Sequence, residues 1–398
     1  MPFFLIKKIS VQWAALSFAS ALGILLTIFL ARELDVEKFG QYGLILSFGA
    51  IFTILIDLGY RNIIVLGSIK KKKSSGQELL FVSAIRSFLL AVVLTPLIYL
   101  FFGSFLLSIS IGLIFFMTNL ISNTSFFFKA INNIYKDSLF VMVNKILTLV
   151  FIITSVLYYS SDIHVILLAW FVGLLLSLVL FNPVKFVTNI KFKDYLLFPK
   201  NFMYFYLIDI FTFLYYRSDL LLMKLLGTSM HEIGNYTASF KFIEGFVILQ
   251  TPLSIMLLRL LINPSSTFLQ YKKIAILFSM FFVTTLSILI FFNAEEISLI
   301  FFGDKYDYAG KYLSILSISL IFIFLNMFFI QYCLSRDLII EYCFATFIAA
   351  IFNTILNYLY IPLYGALASS YITVITELIF LIFLVVLILW KKKNIKLS

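Results

Sequence analysis

The stretch FLARELDVEKFGQYGLILSFGAIFTILIDLGYRN, residues 29–62, joins two long apolar runs through a short charged turn. The first run covers residues 9–31 and the second covers residues 42–66. Each is long enough to cross a bilayer, which takes roughly 20 helical residues. The stretch therefore predicts two membrane helices joined by a turn. Its second half also carries Asp57 and Arg61, whose i,i+4 spacing would place both side chains on one helix face.

The composition extends this prediction to the whole chain. Hydrophobic residues make up 62% of the 398 positions, charged residues make up 12%, and the mean hydropathy is +1.07. A soluble domain cannot keep that much apolar surface away from water, so the sequence predicts an all-α integral membrane protein. The first apolar run is too long for a cleavable signal peptide, so we expect it to be retained. With two cysteines and two histidines, neither a disulfide framework nor a metal site is expected, and we expect no cofactor.

About twelve apolar segments satisfy a 19-residue hydropathy window. Their approximate limits are 9–31, 42–66, 79–102, 105–128, 138–159, 163–184, 201–226, 235–261, 273–293, 311–334, 339–361 and 364–390. The longest inside linker divides them into two sets of six. We therefore expect an N-terminal six-helix lobe over residues 1–185, a cytoplasmic linker over 186–200, and a C-terminal six-helix lobe over 201–398.

The distribution of lysine and arginine sets the predicted orientation. Of the 30 cations, 20 fall in the termini and in the loops on the same side as the termini, 5 fall in the opposite loops, and 5 lie inside the segments. The positive-inside rule therefore places both termini in the cytoplasm. The net charge of +11 follows from this topology and from attraction to anionic lipid headgroups, and nucleic-acid binding explains it poorly.

The two halves contain similar motifs at the start of their second segments. GQYGLILSF covers residues 40–48 and GNYTASFKF covers residues 234–242, with Gly, Tyr and Phe at matching positions. Because each half has an even number of segments, the copies would run in the same direction. They would be related by an axis along the membrane normal, with a binding site between them.

Ionisable residues inside the segments are the candidate functional groups, since such groups usually face a bundle interior or an aqueous cavity. They are Asp57, Arg61, Arg86, Lys145, Asp209, Arg217, Asp219, Lys241, Glu244 and Glu377. Arg61, Arg86 and Lys145 are also placed where a side chain can reach the membrane surface, and Asp57–Arg61 and Lys241–Glu244 are spaced to form structural ion pairs. Arg217 lies deepest, sixteen residues into its segment, with Asp219 close by. A polar path across the membrane explains the whole set of embedded charges better than a separate structural role for each one.

Four stretches resemble the Wzx-type polysaccharide flippases of the multidrug/oligosaccharidyl-lipid/polysaccharide exporter superfamily. Residues 29–62 are similar to that family's first helical hairpin, and residues 233–257 resemble its Gly-x-Tyr-x-x-Ala-x-Lys…Glu…Pro segment. Residues 300–316 resemble its Phe-Gly-x-x-Tyr-x-x-Ala segment. Residues 352–378 match its Asn-x-x-Leu-Asn…Ile-Pro-x-Tyr-Gly pattern, with Leu367 and Ala368 where Gly-Ala is usual.

The resemblance implies two six-helix lobes around a central cavity that work by alternating access. It implies a flippase, not an enzyme, that moves undecaprenyl-pyrophosphate-linked repeat units to the outer leaflet of the bacterial inner membrane for O-antigen or related polysaccharide synthesis. The implied partners are this lipid-linked oligosaccharide, membrane lipids, a polysaccharide polymerase and a chain-length regulator. The residues implied to bind the diphosphate are Arg217, Arg61, Arg86, Lys145 and Lys241. Those assigned to ion coupling or pairing are Asp57, Asp219, Glu244 and Asp209.

Three alternatives remain open. A membrane glycosyltransferase or polymerase would use a carboxylate of the cluster Glu33, Asp35 and Glu37, but the sequence has no large outside loop to hold an acceptor. A cation-coupled multidrug antiporter of the same fold would have an acidic cavity, whereas five cations and five acids are embedded here. A lipid II flippase usually has additional helices. For sugar contacts, the sequence offers Tyr215, Tyr216, Asn119 and Asn123.

Overall fold

A computed structural model gives the fold of the chain. It describes residues 3–61, 64, 73–181, 202–248, 254, 257–258, 261 and 266–397. Over these residues the chain forms thirteen α-helices and no β-strand, as the sequence predicts. The first six helices are α1 (Phe3–Glu33), α2 (Val36–Asp57), α3 (Lys73–Phe102), α4 (Phe105–Ala130), α5 (Ile134–Tyr158) and α6 (Ile163–Phe181). The other seven are α7 (Phe202–Tyr216), α8 (Ser218–Leu225), α9 (Met230–Ile248), α10 (Ser266–Phe292), α11 (Ala294–Phe302), α12 (Ala309–Ser335) and α13 (Ile339–Leu397).

Eight of the described helices are long and apolar enough to cross a membrane, and a ninth span is formed if α10 and α11, bent by 81° to each other, are taken together. The chain is therefore a multi-pass membrane protein. The last of the eight is 53 residues long, or about 80 Å at 1.5 Å per residue, far more than the ~30 Å of hydrocarbon that one span needs to cross. It contains the two predicted segments 339–361 and 364–390. The count of twelve stays a prediction.

The junction inside α13 has a specific chemistry. Gly365 is non-helical, with φ 58° and ψ −138°, in a region that L side chains rarely adopt. The next backbone N–H, that of Ala366, donates to Oε1 of Glu232 at 2.7 Å. The Tyr312 hydroxyl donates to the same oxygen at 3.3 Å. A carboxylate from α9 therefore caps the helix that begins after Gly365, where backbone N–H groups and the helix dipole favour a negative charge.

The predicted continuous helix over residues 42–66 is wrong after Asp57. α2 ends at Asp57, and Leu58 and Gly59 follow with φ of 48° and 73°. Glycine adopts this conformation readily, and the break therefore lies where the sequence places a glycine. Because the helix is interrupted, Asp57 and Arg61 do not share the face of one continuous helix, but they still interact: the Arg61 backbone N–H donates to the Asp57 carboxylate, and the two side chains lie within electrostatic reach.

Two compact units are distinguished within the chain. One comprises residues Met1–Phe29 and Phe48–Tyr206, and the other comprises Leu30–Ser47 and Leu207–Ser398. Residues Leu30–Ser47, which surround the turn of the first hairpin, thus group with the C-terminal helices. The predicted linker, residues 186–200, lies outside the described residues, and the division into lobes at 185 and 201 stays a prediction.

The first unit is held together by small and polar residues on helices that run close to each other. A Cβ on Gly173 of α6 would lie 2.8 Å from the Cα of Thr148 in α5, so the two backbones nearly touch. Between α3 and α4, Asn119 donates to Ser87 at 2.9 Å and Asn123 donates to Ser83 at 2.7 Å. Small residues and interhelical hydrogen bonds are the usual means of helix association in lipid, where apolar burial gives little driving force.

In the second unit, the turn between α1 and α2 is bound by the segment that follows α11. Lys305 donates to the carbonyls of Arg32 and Leu34 at 2.7 and 2.6 Å. The Tyr306 hydroxyl donates to the carbonyl of Ala31 at 2.8 Å. These donors satisfy carbonyls at the end of α1 that have no partner inside the helix. The contact explains why Leu30–Ser47 belongs to this unit.

Candidate functional site

The charged cluster of the second unit is built at a break between two helices. Arg217 lies between α7 and α8 with non-helical angles, φ −137° and ψ −4°. Its guanidinium donates to Oε1 of Glu244 in α9. The other oxygen of Glu244 accepts from Lys241 Nζ at 2.6 Å. The Lys241–Glu244 pair that the spacing suggested is therefore present, and Arg217 joins it from another helix.

This cluster joins two cations to two acids. Arg217 and Lys241 share the carboxylate of Glu244, and the Asp219 carboxylate also lies within electrostatic reach of Arg217. The side chains of Arg217, Lys241 and Glu244 are 25%, 12% and 15% exposed, which leaves the guanidinium the most accessible of the three. A guanidinium has five N–H donors, and Glu244 accepts from only part of them. The arrangement can therefore offer hydrogen bonds and charge to an anion.

Asp219, which lies two residues from Arg217, has a different set of partners. One of its oxygens accepts from the hydroxyl of Tyr236, and the other accepts from the backbone N–H of Leu220 at 2.8 Å. The Tyr236 hydroxyl lies 3.4 Å from that of Thr373. Asp219 thus links α8, α9 and α13, whereas the Arg217 guanidinium turns to Glu244.

In the first unit, Arg86 is engaged with the end of α2. Its guanidinium donates to the backbone carbonyl of Asp57 at 2.6 Å and lies over the ring of Tyr60, 4.4 Å from its centroid. The break after Asp57 leaves carbonyls of the last turn without helical partners, and Arg86 satisfies one of them. The Asp57 carboxylate accepts hydrogen bonds from the side chain of Asn123 and the backbone of Arg61.

The other two embedded cations of this unit have different surroundings. Arg61 is half-buried, and its guanidinium lies 5.9 Å from the centroid of the Phe126 ring. Lys145 is exposed although it lies eleven residues into α5, about 17 Å from the start of that helix. Its neighbour Asn144 accepts from Ser177 of α6 at 3.1 Å. A charged lysine at that depth is costly on a lipid-facing surface unless its side chain reaches the membrane surface or a solvated face.

The predicted sugar-contacting residues divide into two kinds. Asn119 and Asn123 are 1% exposed and bind serines of α3, so the prediction that they contact sugar is wrong for this structure. Tyr215 and Tyr216 are half-buried on α7, beside Phe380 and Phe240 respectively. Asp209, two turns before Tyr216, is also half-buried and lies within electrostatic reach of Tyr342.

The structure adds one polar pair that sequence reasoning did not assign. Glu377 of α13 and Asn326 of α12 are 3% and 2% exposed and are hydrogen-bonded to each other. The sequence signal was an acid in an apolar run, but nothing in the sequence indicates its partner 51 residues away. In the described part of the chain, no group of three or more His, Cys, Asp or Glu side chains is placed to hold a metal ion.

The chain has the fold of the multi-helix membrane transporters of the MOP superfamily. The chain aligns with the lipid II flippase MurJ in an inward closed conformation at 16% identity and a TM-score of 0.70, over 94% of this chain and 86% of that one. It aligns with an inward-facing MATE multidrug resistance transporter of the MOP superfamily at 13% identity and a TM-score of 0.73, over 97% and 98% of the two chains.

A MATE transporter of Vibrio cholerae is also similar, at 13% identity and a TM-score of 0.59, over 98% of this chain and 97% of that one. No known protein family matches the sequence, and no curated protein is similar to it. At these identities the likeness shows the fold alone.

Proposed function

We propose that this protein is a flippase that moves an undecaprenyl-pyrophosphate-linked oligosaccharide from the cytoplasmic to the outer leaflet by alternating access. The observation that carries the proposal is the cluster of Arg217, Lys241 and Glu244 at a helix break, in which the partly exposed Arg217 has N–H donors that Glu244 does not use. The resemblance of four motifs to the Wzx-type flippases supports the same substrate. The fold it shares with a lipid II flippase fits a lipid-linked cargo.

The physical problem of such transport is the headgroup. A sugar diphosphate is large, hydrated and anionic, and hydrocarbon cannot satisfy its polar groups. Arg217 would bind the diphosphate, since a guanidinium forms bidentate hydrogen bonds with phosphate oxygens. Lys241 would add charge, while Glu244 keeps both cations in place when the site is empty. In the first unit, Lys145, which is exposed at mid-helix, and Arg61 would be further cations that bind the substrate. The prenyl tail would stay in lipid.

The cellular setting is part of the same proposal. The protein would lie in the bacterial inner membrane with both termini in the cytoplasm, as the cation bias of the loops predicts. It would act without covalent chemistry, receiving its substrate from glycosyltransferases. It would hand the repeat unit to a polymerase whose product length a chain-length regulator sets.

A second candidate is a multidrug antiporter. The likeness to MATE transporters favours it, as do the acids Asp219 and Glu244 that lie beside Arg217. The two candidates differ in substrate charge, because the Arg217 guanidinium suits an anionic diphosphate whereas the acids beside it suit a drug cation. If removal of the gene left surface polysaccharide intact and raised the accumulation of a cationic dye, the antiporter would be the correct function.

The direct test uses Arg217 variants in cells that lack the native gene. We expect Arg217→Ala to abolish surface polysaccharide while the amount of protein in the membrane stays normal. Arg217→Lys should restore export only in part, because an ammonium cannot form the bidentate contact. Arg336→Ala is the matched control, since Arg336 is an exposed cation of the same unit, and it should export normally.

A double variant of Arg217 and its partner Glu244 distinguishes substrate binding by Arg217 from a purely structural role. If Arg217→Ala lowered membrane abundance, and the double variant Arg217→Ala with Glu244→Ala restored both abundance and export, Arg217 would serve only to pair Glu244. The assignment of Arg217 to substrate binding would then be wrong.

A further inference from the structure

The pair formed by Glu377 and Asn326 is not used by the proposed substrate path. Glu377 lies in the second half of α13 with 3% of its surface exposed. The Asn326 amide nitrogen donates to its Oε2 at 2.7 Å and to its backbone carbonyl at 3.0 Å. The Asn326 amide is thus the hydrogen-bond donor to the Glu377 carboxylate between two apolar helices, α12 and α13.

The other end of that amide supplies a second observation. Asn326 Oδ1 is buried and has no hydrogen-bond partner, although Asn326 is 2% exposed. Buried polar atoms are nearly always hydrogen-bonded, so an unpartnered amide oxygen beside a buried acid is an acceptor available to the protonated form of that acid. Rotation of the amide by half a turn exchanges its nitrogen and its oxygen and would present Oδ1 to Glu377.

Neighbouring helices bring neutral groups toward Glu377. From α7, Tyr215 and Tyr216 lie within electrostatic reach of the carboxyl group, and the hydroxyl of Tyr216 is also buried without a hydrogen-bond partner. One turn earlier on α13, Thr373 contacts the Tyr236 hydroxyl that binds Asp219.

Another neutral group lies close to Glu377 along α13. From the first half of α13, Asn353 donates to Thr376 at 3.2 Å, next to Glu377. Among the ion pairs formed by the described residues, none includes Glu377. This separates it from Glu244, which two cations hold as a carboxylate.

This arrangement suits a proton better than a metal cation. An ionised carboxylate buried among neutral groups is costly unless donors face it, and a protonated one needs an acceptor for its O–H. Asn326 can provide both, because its amide donates in one orientation and accepts in the other. A sodium ion would need several oxygen ligands, whereas here the Asn326 N–H group donates a hydrogen bond to the Glu377 carboxylate.

We propose that Glu377 is a reversible proton-binding site with Asn326 as its partner in both protonation states. If the protein is the exporter proposed above, this site couples export to proton movement. On binding, a proton adds to the Glu377 carboxylate and the Asn326 amide rotates to accept from the new O–H. On release, the proton leaves and the amide nitrogen donates again. No other bond forms or breaks.

The proton site is tested without transport, by infrared titration of the purified full-length protein in detergent across a range of pH. We expect a carboxylic-acid carbonyl band that appears reversibly as pH falls and is missing in Glu377→Gln. Glu244→Gln and Asp219→Asn are the matched controls and should keep the band. If Glu377→Gln titrates as the wild type does, the site does not bind a proton and the proposal is wrong, whatever the export result.

Coupling is tested by surface polysaccharide in cells at equal membrane abundance. We expect Glu377→Gln to lose export and Glu377→Asp to recover it in part. Loss of the infrared band with normal export would overturn the coupling role. If removal of the whole gene leaves surface polysaccharide unchanged, the proposed function fails instead, and the infrared titration still decides whether Glu377 binds a proton.

Discussion

Gly40 and Gly234 lie against each other where α2 crosses α9, and the contact is reciprocal. A Cβ added to Gly40 would lie 2.7 Å from the carbonyl oxygen of Met230 and 2.8 Å from the nitrogen of Gly234. A Cβ added to Gly234 would in turn meet the backbone carbonyl of Val36. Met230 precedes Gly234 by four residues, as Val36 precedes Gly40. Each glycine therefore approaches the residue that lies one turn before the other glycine: Gly40 approaches Met230, and Gly234 approaches Val36.

Reciprocal contact between equivalent residues is what a two-fold axis produces. Gly40 and Gly234 open the two matching motifs of residues 40–48 and 234–242. The fourth positions of the motifs also meet, since a Cβ on Gly43 would lie 3.0 Å from the Cβ of Thr237. The crossing thus supports the internal repeat that these motifs suggested.

The first prediction concerns this crossing. Gly40→Ala and Gly234→Ala should each lower stability by about 1–3 kcal/mol, because the new methyl group meets backbone atoms that cannot move aside. The measurement is thermal unfolding of the purified protein in detergent. Gly23→Ala in α1 is the control, since a Cβ there meets nothing within 4 Å, and it should not lower the unfolding temperature. Equal unfolding temperatures for all three variants would contradict the close crossing.

The second prediction concerns the junction in α13. Gly365→Ala should be destabilised for two reasons, the positive φ of 58° and the conflict of its Cβ with the Glu232 carboxylate. Gly227→Ala shares only the first, since φ is 84° there and nothing lies within 4 Å. Unfolding of the two variants side by side should show the larger loss at Gly365, because a strained backbone alone costs of order 1–3 kcal/mol. If Gly227→Ala lost as much stability as Gly365→Ala, the conflict with the Glu232 carboxylate would not contribute to the effect.

The third prediction concerns the shared carboxylate of the charged cluster. Glu244→Ala should lower the free energy of unfolding by about 3–5 kcal/mol, because it leaves Arg217 and Lys241 without their acceptor in a partly buried site. Combining it with Lys241→Met should restore part of that loss, since one unbalanced charge is removed. Chemical unfolding of the single and double variants measures this coupling. If the two losses simply add, the three side chains do not act as a unit.

The fourth prediction separates Arg86 from Lys145. Arg86→Met should cost about 1–3 kcal/mol of stability, because the Asp57 carbonyl loses its donor at the break after α2. Lys145→Met should not lower stability, since Lys145 is exposed at mid-helix, but it should reduce export if that face is part of the transport path. Unfolding and surface polysaccharide are measured on the same two variants. A stable Arg86→Met protein would show that the guanidinium does not hold the helix end.

Much of the architecture follows from the sequence because it depends on local properties. Apolar runs of sufficient length predict membrane helices, since hydrocarbon forces the backbone to satisfy its own hydrogen bonds. Glycine at position 59 and at position 365 coincides with a positive φ. The spacing of Lys241 and Glu244 gives an ion pair because three residues make nearly one turn of a helix.

The tertiary structure decided which charges meet across helices. Sequence proximity pointed from Arg217 to Asp219, but packing gives Arg217 the carboxylate of Glu244, 27 residues away. Packing likewise brings Asn326 into hydrogen-bonding contact with Glu377, and the backbone N–H of Ala366 into hydrogen-bonding contact with Glu232. Asp57 and Arg61 interact across a helix break and not along one continuous helix face, because α2 ends at Asp57. Spacing along a chain fixes neighbours only while the helix continues, whereas partners on different helices depend on how the helices pack in three dimensions.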